Sequence, residues 1–237
     1  PEYVVNSTKQ LFEIFNESRM EASVDAVVAS GTIIELETRL ECDEDITVTI
    51  RGSGEGATFD GQEEIGLFKV SGGCSLTLER LNLVNGNADG GAVHVKDGNL
   101  GLIDSHVANC KGDRGDWGGA LYVDNFNRYK VRVKGSTFTS CSAEYGGAVY
   151  VENGEVSLSD SEISDCHATE GGAVLVVDGE VSLLGSNISS CTAKEGGALS
   201  AWDGEVSLID CEISSCSAKE GGAVYVWGGE GSLIDSG

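Results

Sequence analysis

Residues 146–220 read GGAVYVENGEVSLSDSEISDCHATE (146–170), GGAVLVVDGEVSLLGSNISSCTAKE (171–195) and GGALSAWDGEVSLIDCEISSCSAKE (196–220). Within each unit the apolar residues alternate: in the first, Val149 and Val151, then Val156 and Leu158, then Ile163. Period two with β-branched side chains is the signature of short strands. Between the first two segments stand Asn153-Gly154, Asp178-Gly179, Asp203-Gly204 and, upstream, Asp97-Gly98. Asn or Asp followed by Gly tolerates positive φ and predicts a tight turn at each. A unit with about three short strands and three bends is too small to bury a core alone, so it must stack on its neighbours.

Working outward, Gly-Gly-Ala followed by Val or Leu opens at Gly90, Gly118, Gly146, Gly171, Gly196 and Gly221, in steps of 28, 28, 25, 25 and 25 residues. A fixed period of this size denotes a solenoid. Leucine-rich repeats carry several phased leucines and usually a helix per unit, and hexapeptide helices need a six-residue period. Neither pattern is visible, so the sequence predicts an all-β parallel β-helix. The crossover preference makes it right-handed. Val93, Leu121, Val149, Val174, Leu199 and Val224 form one inward column. Val95, Val123, Val151, Val176, Ala201 and Val226 form its neighbour. Seven or eight coils about 4.8 Å apart make a rod of roughly 35–40 Å.

Residues 1–73 lack the repeat but show strands at Thr32 to Leu36, Ile46 to Ile50 and Leu67 to Val70. Ahead of them Ser7-Thr8-Lys9-Gln10 reads as a capping box, followed by Leu11, Phe12, Ile14 and Phe15 at helical spacing. This predicts an N-terminal capping α-helix over the apolar end of the stack. The division is then a cap helix with the first coils (1–73) and regular coils (74–237) that stop partway through the last. An uncapped final coil predicts self-association, or continuation of the stack.

The repeat resembles those of the polymorphic outer-membrane proteins, whose marks are GGA-[ILV] and Phe-x-x-Asn, within the pectate-lyase-like superfamily of right-handed β-helices. Six GGA-[VL] motifs carry the likeness over residues 90–237, and residues 67–92 look like the coil that opens such stacks. The second mark departs: Phe138-Thr-Ser-Cys141, Ile163-Ser-Asp-Cys166, Ile188-Ser-Ser-Cys191 and Ile213-Ser-Ser-Cys216 carry Cys in place of Asn. The resemblance implies either an adhesin or, from the wider superfamily, a polysaccharide lyase or hydrolase. Fold alone does not choose between them.

A formal net charge of −24 over 237 residues argues against nucleic acid or anionic membrane as partners. Cys110, Cys141, Cys166, Cys191 and Cys216 recur once per coil. Parallel side chains keep their Cβ atoms near 4.8 Å, beyond the preferred disulfide range of about 3.5–4.5 Å, so a ladder of buried thiols is expected. Cys42–Cys74 is the pairing expected in an oxidising compartment. Sequons at Asn6, Asn16 and Asn187 are candidate glycosylation sites and point to an extracellular or cell-surface location.

Glu155, Glu180, Glu205 and Glu230 stack beside Asn153, Asp178 and Asp203. Like charges at that spacing repel by roughly 1 kcal/mol per neighbour in water. Asp178, Glu180, Asp203 and Glu205 are therefore candidate Ca²⁺ ligands, since calcium favours such oxygens. Alternatively the row is a solvated acidic edge that discourages lateral pairing. The insertion Lys111-Gly-Asp-Arg-Gly-Asp-Trp117 contains Arg114, Gly115 and Asp116, resembling the integrin-recognition tripeptide, with Trp117 beside it. The second insertion, Asp124-Asn-Phe-Asn-Arg-Tyr-Lys130, brings Arg128 and Lys130 and leads to Arg132 and Lys134. These form a basic neighbourhood that either binds a glycan or acidic partner or offsets the surrounding charge. An outward row, His94, Tyr122, Tyr150, Leu175, Ser200 and Tyr225, with Trp202 and Trp227 nearby, either stacks on sugar rings or packs laterally. The carboxylates are periodic and interchangeable, with no singular acid–base pair. His94, His106 and His167 occupy different repeat positions. The reading is a structural or adhesive rod contacting a protein or polysaccharide surface; the alternative is a polysaccharide lyase or hydrolase.

Overall fold

The computed structural model describes residues 2–17, 23–112, 117–126 and 129–234. It is a parallel β-solenoid of about nine turns, slightly more than the motif count predicts, because the coils before Gly90 form without the Gly-Gly-Ala sequence. Each coil presents three strand faces. The first holds strands such as Val93–Lys96, Leu121–Asp124 and Leu199–Ala201; the second Ser75–Glu79, Asn99–Ile103 and Glu205–Ile209; the third Leu81–Val84, Thr137–Thr139 and Asn187–Ser189. Pairing is parallel throughout, and the ladder crosses residue 73 unbroken, with Thr47 opposite Ser75 and Ile50 opposite Leu78. Both inward columns are in register and buried except at the last coil, where Val226 is exposed.

Two of the predicted turns are corrected. Val149–Ser159 and Val174–Leu184 each run through the Asn/Asp-Gly step as one strand, with Asn153 opposite Asp178 and Gly154 opposite Gly179. The coil bends there while keeping its ladder. The glycines are needed for closeness: a Cβ on Gly179 would stand 2.7 Å from the Gly154 carbonyl oxygen. The Gly-Gly bend is tighter still. Gly146 has a φ of 65°, and a Cβ on Gly147 would lie 2.1 Å from the Gly172 carbonyl oxygen of the next coil.

The third face is held by paired columns at its two ends. Ser105, Ser136, Ser161, Ser186 and Cys211 open it; Cys110, Cys141, Cys166, Cys191 and Cys216 close it. A residue in the left-handed region precedes members of both, as Asp160 (φ 50°) and Asp165 (φ 54°) do. The Ser161 hydroxyl donates to the Ser159 carbonyl at 2.8 Å, and the Ser161 backbone N–H donates to Ser186 Oγ at 3.1 Å. The Cys166 thiol donates to the Ser164 carbonyl at 3.2 Å. Hydroxyl and thiol thus supply the donors that close successive corners. The five column cysteines are free thiols, and Cys42–Cys74 is a disulfide with Cα atoms 5.8 Å apart, as the sequence predicts.

The predicted cap forms as a helix over Thr8–Glu17, preceded by an added strand, Glu2–Val5. Leu11 is fully buried and Phe12 packs on the end of the core. The capping box is offset by one residue. Ser7 Oγ accepts from the Gln10 N–H at 3.4 Å, while Gln10 Oε1 accepts from Asn6 rather than from Ser7.

Candidate functional site

The outside of the first face carries the densest side-chain constellation. Strand alternation buries Val93, Leu121 and Val149 and turns His94, Tyr122 and Tyr150 outward, one above another. Leu175 and Ser200 continue the column. Two flanks rise beside it. One comes from the residue before each Gly-Gly pair: Trp117, Tyr145, Glu170, Glu195 and Glu220, bridged coil to coil. The other follows the second inward column by one residue: Glu152, Val177 and Trp202. Glu152 is set off by a register shift, since Val123 faces Val151 but Asp124 faces Asn153.

The flanks close over the middle. Tyr122 and Tyr150 are almost buried, Leu175 and Ser200 completely so, and Tyr145, Val177 and Trp202 pack against them. From Tyr122 to Ser200 the outward row is therefore not an open stacking platform but is covered by side chains of neighbouring coils, whereas Trp227 on the last coil is exposed. His94 stacks on Tyr122 at 4.6 Å between ring centroids, and Tyr122 lies 5.4 Å from Tyr150. Trp117, 37% exposed, stacks on Tyr150 at 6.3 Å; Trp202 meets Tyr145 edge-on at 6.3 Å. The rings open to solvent are those of the flanks.

Electrostatics divide this face. Burial, reinforced by Arg39, Lys69 and Lys96, lowers the His94 pKa to about 4, leaving a neutral imidazole at neutral pH. Burial and a hydrogen bond to Glu152 push the Tyr122 phenol up. Below, burial and then the charge of Glu195 raise the pKa of Glu170, while the Trp202 indole N–H lies near enough to favour its ionised form. Three buried atoms here have no hydrogen-bond partner: His94 Nε2, Glu170 Oε2 and Ser200 Oγ.

The acidic edge is a second feature. Asp178, Glu180, Asp203 and Glu205 line one shallow groove of about 430 Å³ with Asn125, Asn153 and Glu155. The column Glu155, Glu180, Glu205 and Glu230 is in register and exposed. Among the described residues, no three carboxylate, imidazole or thiol groups converge closely enough to hold a metal ion. Lys130 sits on this edge, ion-paired with Glu155.

Trp117 and Lys130 are not brought together: Trp117 joins the flank of the first face, and Lys130 begins a second-face strand. Arg114, Gly115, Asp116 and Arg128 lie outside the described residues. Asn6 and Asn187 are exposed; Asn16 lies in the helix, but its side chain is outside the described set. The sequence reading missed the Tyr145 and Glu170 column. Aligning the repeats at the position before Gly-Gly (Trp, Tyr, Glu, Glu, Glu) would have found it.

Compared with known protein families, curated proteins and solved structures, the chain finds no match in any of the three. Among the described residues no helix is long and apolar enough to cross a membrane.

Proposed function

We propose that this chain is a non-catalytic structural or adhesive scaffold displayed outside the cell. The observation that carries the reading is the aromatic first face. Trp117, Tyr145 and Trp202 are half-exposed and backed by buried rings across several coils, so a protein or polysaccharide surface would meet a rigid, preorganised face. Repetition along the rod adds multivalency. The Cys42–Cys74 bridge and the exposed sequons at Asn6 and Asn187 suit an oxidising exterior. The polymorphic outer-membrane-type repeat, with its implied right-handed coil and adhesive role, agrees with this reading.

The test incubates the purified chain with a panel of acidic and neutral polysaccharides, with Ca²⁺ or chelator, and measures both retention and cleavage. Retention without new chain ends supports the scaffold. New reducing ends or unsaturated uronate products replace it with the polysaccharide lyase or hydrolase reading.

A further inference from the structure

We infer that the outward side of strand Lys130–Lys134 is a docking strip for an extended acidic segment of a partner protein, one with a carboxylate at every second residue. This deepens the adhesive reading and rests on it only for the existence of an external partner. Alternation along the strand buries Val131 and Val133 and turns Lys130, Arg132 and Lys134 to the outside of the second face. The core asks nothing of those three positions. In the next coil the ladder places Glu155, Ser157 and Ser159 opposite them, and in the coil after that Glu180, Ser182 and Leu184. Three cations in one row are therefore a departure from the repeat that stacking does not explain.

Offsetting the surrounding negative charge accounts for one of the three, since Lys130 is ion-paired with Glu155. Arg132 stands between Gly101 and Ser157, and Lys134 between Ile103 and Ser159, so their ladder neighbours carry no charge. Both are exposed, and among the described residues neither forms an ion pair. On the side away from the glutamate row, the outside of the preceding strand carries Asn99, Gly101 and Ile103, again uncharged. A Cβ on Gly101 would touch only Thr77, at 3.4 Å, so a lane lies open beside Arg132. Charge selects an anionic occupant for this lane, and spacing selects a peptide. Cations at alternate strand positions stand about 6.6–6.8 Å apart, which is also the interval between same-side residues of another extended chain. The Arg132 guanidinium adds a planar fork that matches a carboxylate. The chain's net charge of −24 does not bar such a partner: with a Debye length of about 8 Å at physiological salt, distant carboxylates are screened and the strip's own sign decides.

The test measures fluorescence anisotropy of labelled peptides titrated with the whole chain. One peptide alternates Glu and Thr; a second has the same composition with its glutamates in adjacent pairs, which halves the carboxylates on any one side; a third alternates Gln and Thr. Saturable binding of the alternating acidic peptide is expected, at least about three-fold tighter than the paired one, with no binding of the neutral one. Arg132→Ser together with Lys134→Ser, each the residue of the next coil at that ladder position, should weaken binding about ten-fold and leave the melting temperature unchanged. Lys194→Ser together with Lys219→Ser removes the same charge at exposed positions elsewhere and should leave binding unchanged. No binding at about 1 mM peptide, equal binding of the alternating and paired peptides, or full binding by the Arg132/Lys134 variant overturns the strip. Tighter binding of a sulfated glycan than of any peptide, lost in that variant, overturns the peptide assignment in favour of a glycan. Retention of the same variant on a protein or polysaccharide surface leaves the scaffold reading standing whichever way the strip is decided.

Discussion

At single residues, the solenoid depends on donors placed where the backbone turns. Cys211 stands where other coils have serine and keeps the same bond, its thiol donating to the Ile209 carbonyl at 3.3 Å. Hydroxyl and thiol are therefore interchangeable at that corner. Cys211→Ser is expected to leave stability unchanged or higher, whereas Cys166→Ala, losing its donor and leaving a small void, should cost about 1–2 kcal/mol; urea unfolding separates the two. His94 gives a second test. Its pKa is near 6.5 when unfolded and about 4 when folded. Between those values the unfolded chain binds more protons, so stability rises with pH across the window. It is lost as pH falls from 6.5, and the loss is complete once folded His94 is itself protonated. Glu170 acts in the opposite sense: its raised pKa gives stability present while the carboxyl is protonated and lost as pH rises through its titration. His94→Gln should flatten the fall in stability between pH 6.5 and 4, and the His94 ring proton resonances of the parent should titrate near 4.

At the level of elements, the first coils are cross-linked covalently. The disulfide spans a sequence separation of 32 residues, for which loop-closure entropy gives roughly 3–4 kcal/mol. Replacing Cys42 and Cys74 by serine should lower stability by about that amount in thermal unfolding, with the first coils losing amide protection before Val149–Ser159. The strands around this anchor were legible in part: Ile33–Glu35, Thr47–Gly52 and Phe68–Val70 fall within or beside predicted segments. Alternation read correctly which way Val93 and His94 point. It did not read what lies over an outward residue. Tyr145 covers Tyr150 from a bend, and Trp202 reaches across from a coil two repeats further on. Both contacts depend on lateral reach between coils, for which periodicity along one strand carries no signal. The continuous strand through Asn153-Gly154 escaped for a related reason: turn chemistry reports permitted φ, while pairing with the neighbouring coil decides whether the ladder breaks.

For the whole molecule, the stack concentrates like charge along one edge. Glu180 lies between Glu155 and Glu205 in the ladder, all three exposed. Glu180→Gln should raise stability by a few tenths of a kcal/mol at low salt, and the gain should shrink as added salt screens the row; melting at two ionic strengths measures both. A different consequence follows from the exchangeability of the 25-residue units. With Ser157, Ser182 and Ser207 in equivalent positions of the ladder, a folding chain that skips one link still finds nearly the same neighbours. Such a slip would strand a whole unit as a loop while the rest of the stack looked native. The irregular members of each column oppose it. Moving Ser200 into the place of Leu175 would empty the space beneath the aromatic flank, and the bridged first coils fix where counting begins. The departures from the repeat thus serve as index marks, giving a uniform chain a single frame in which to wind.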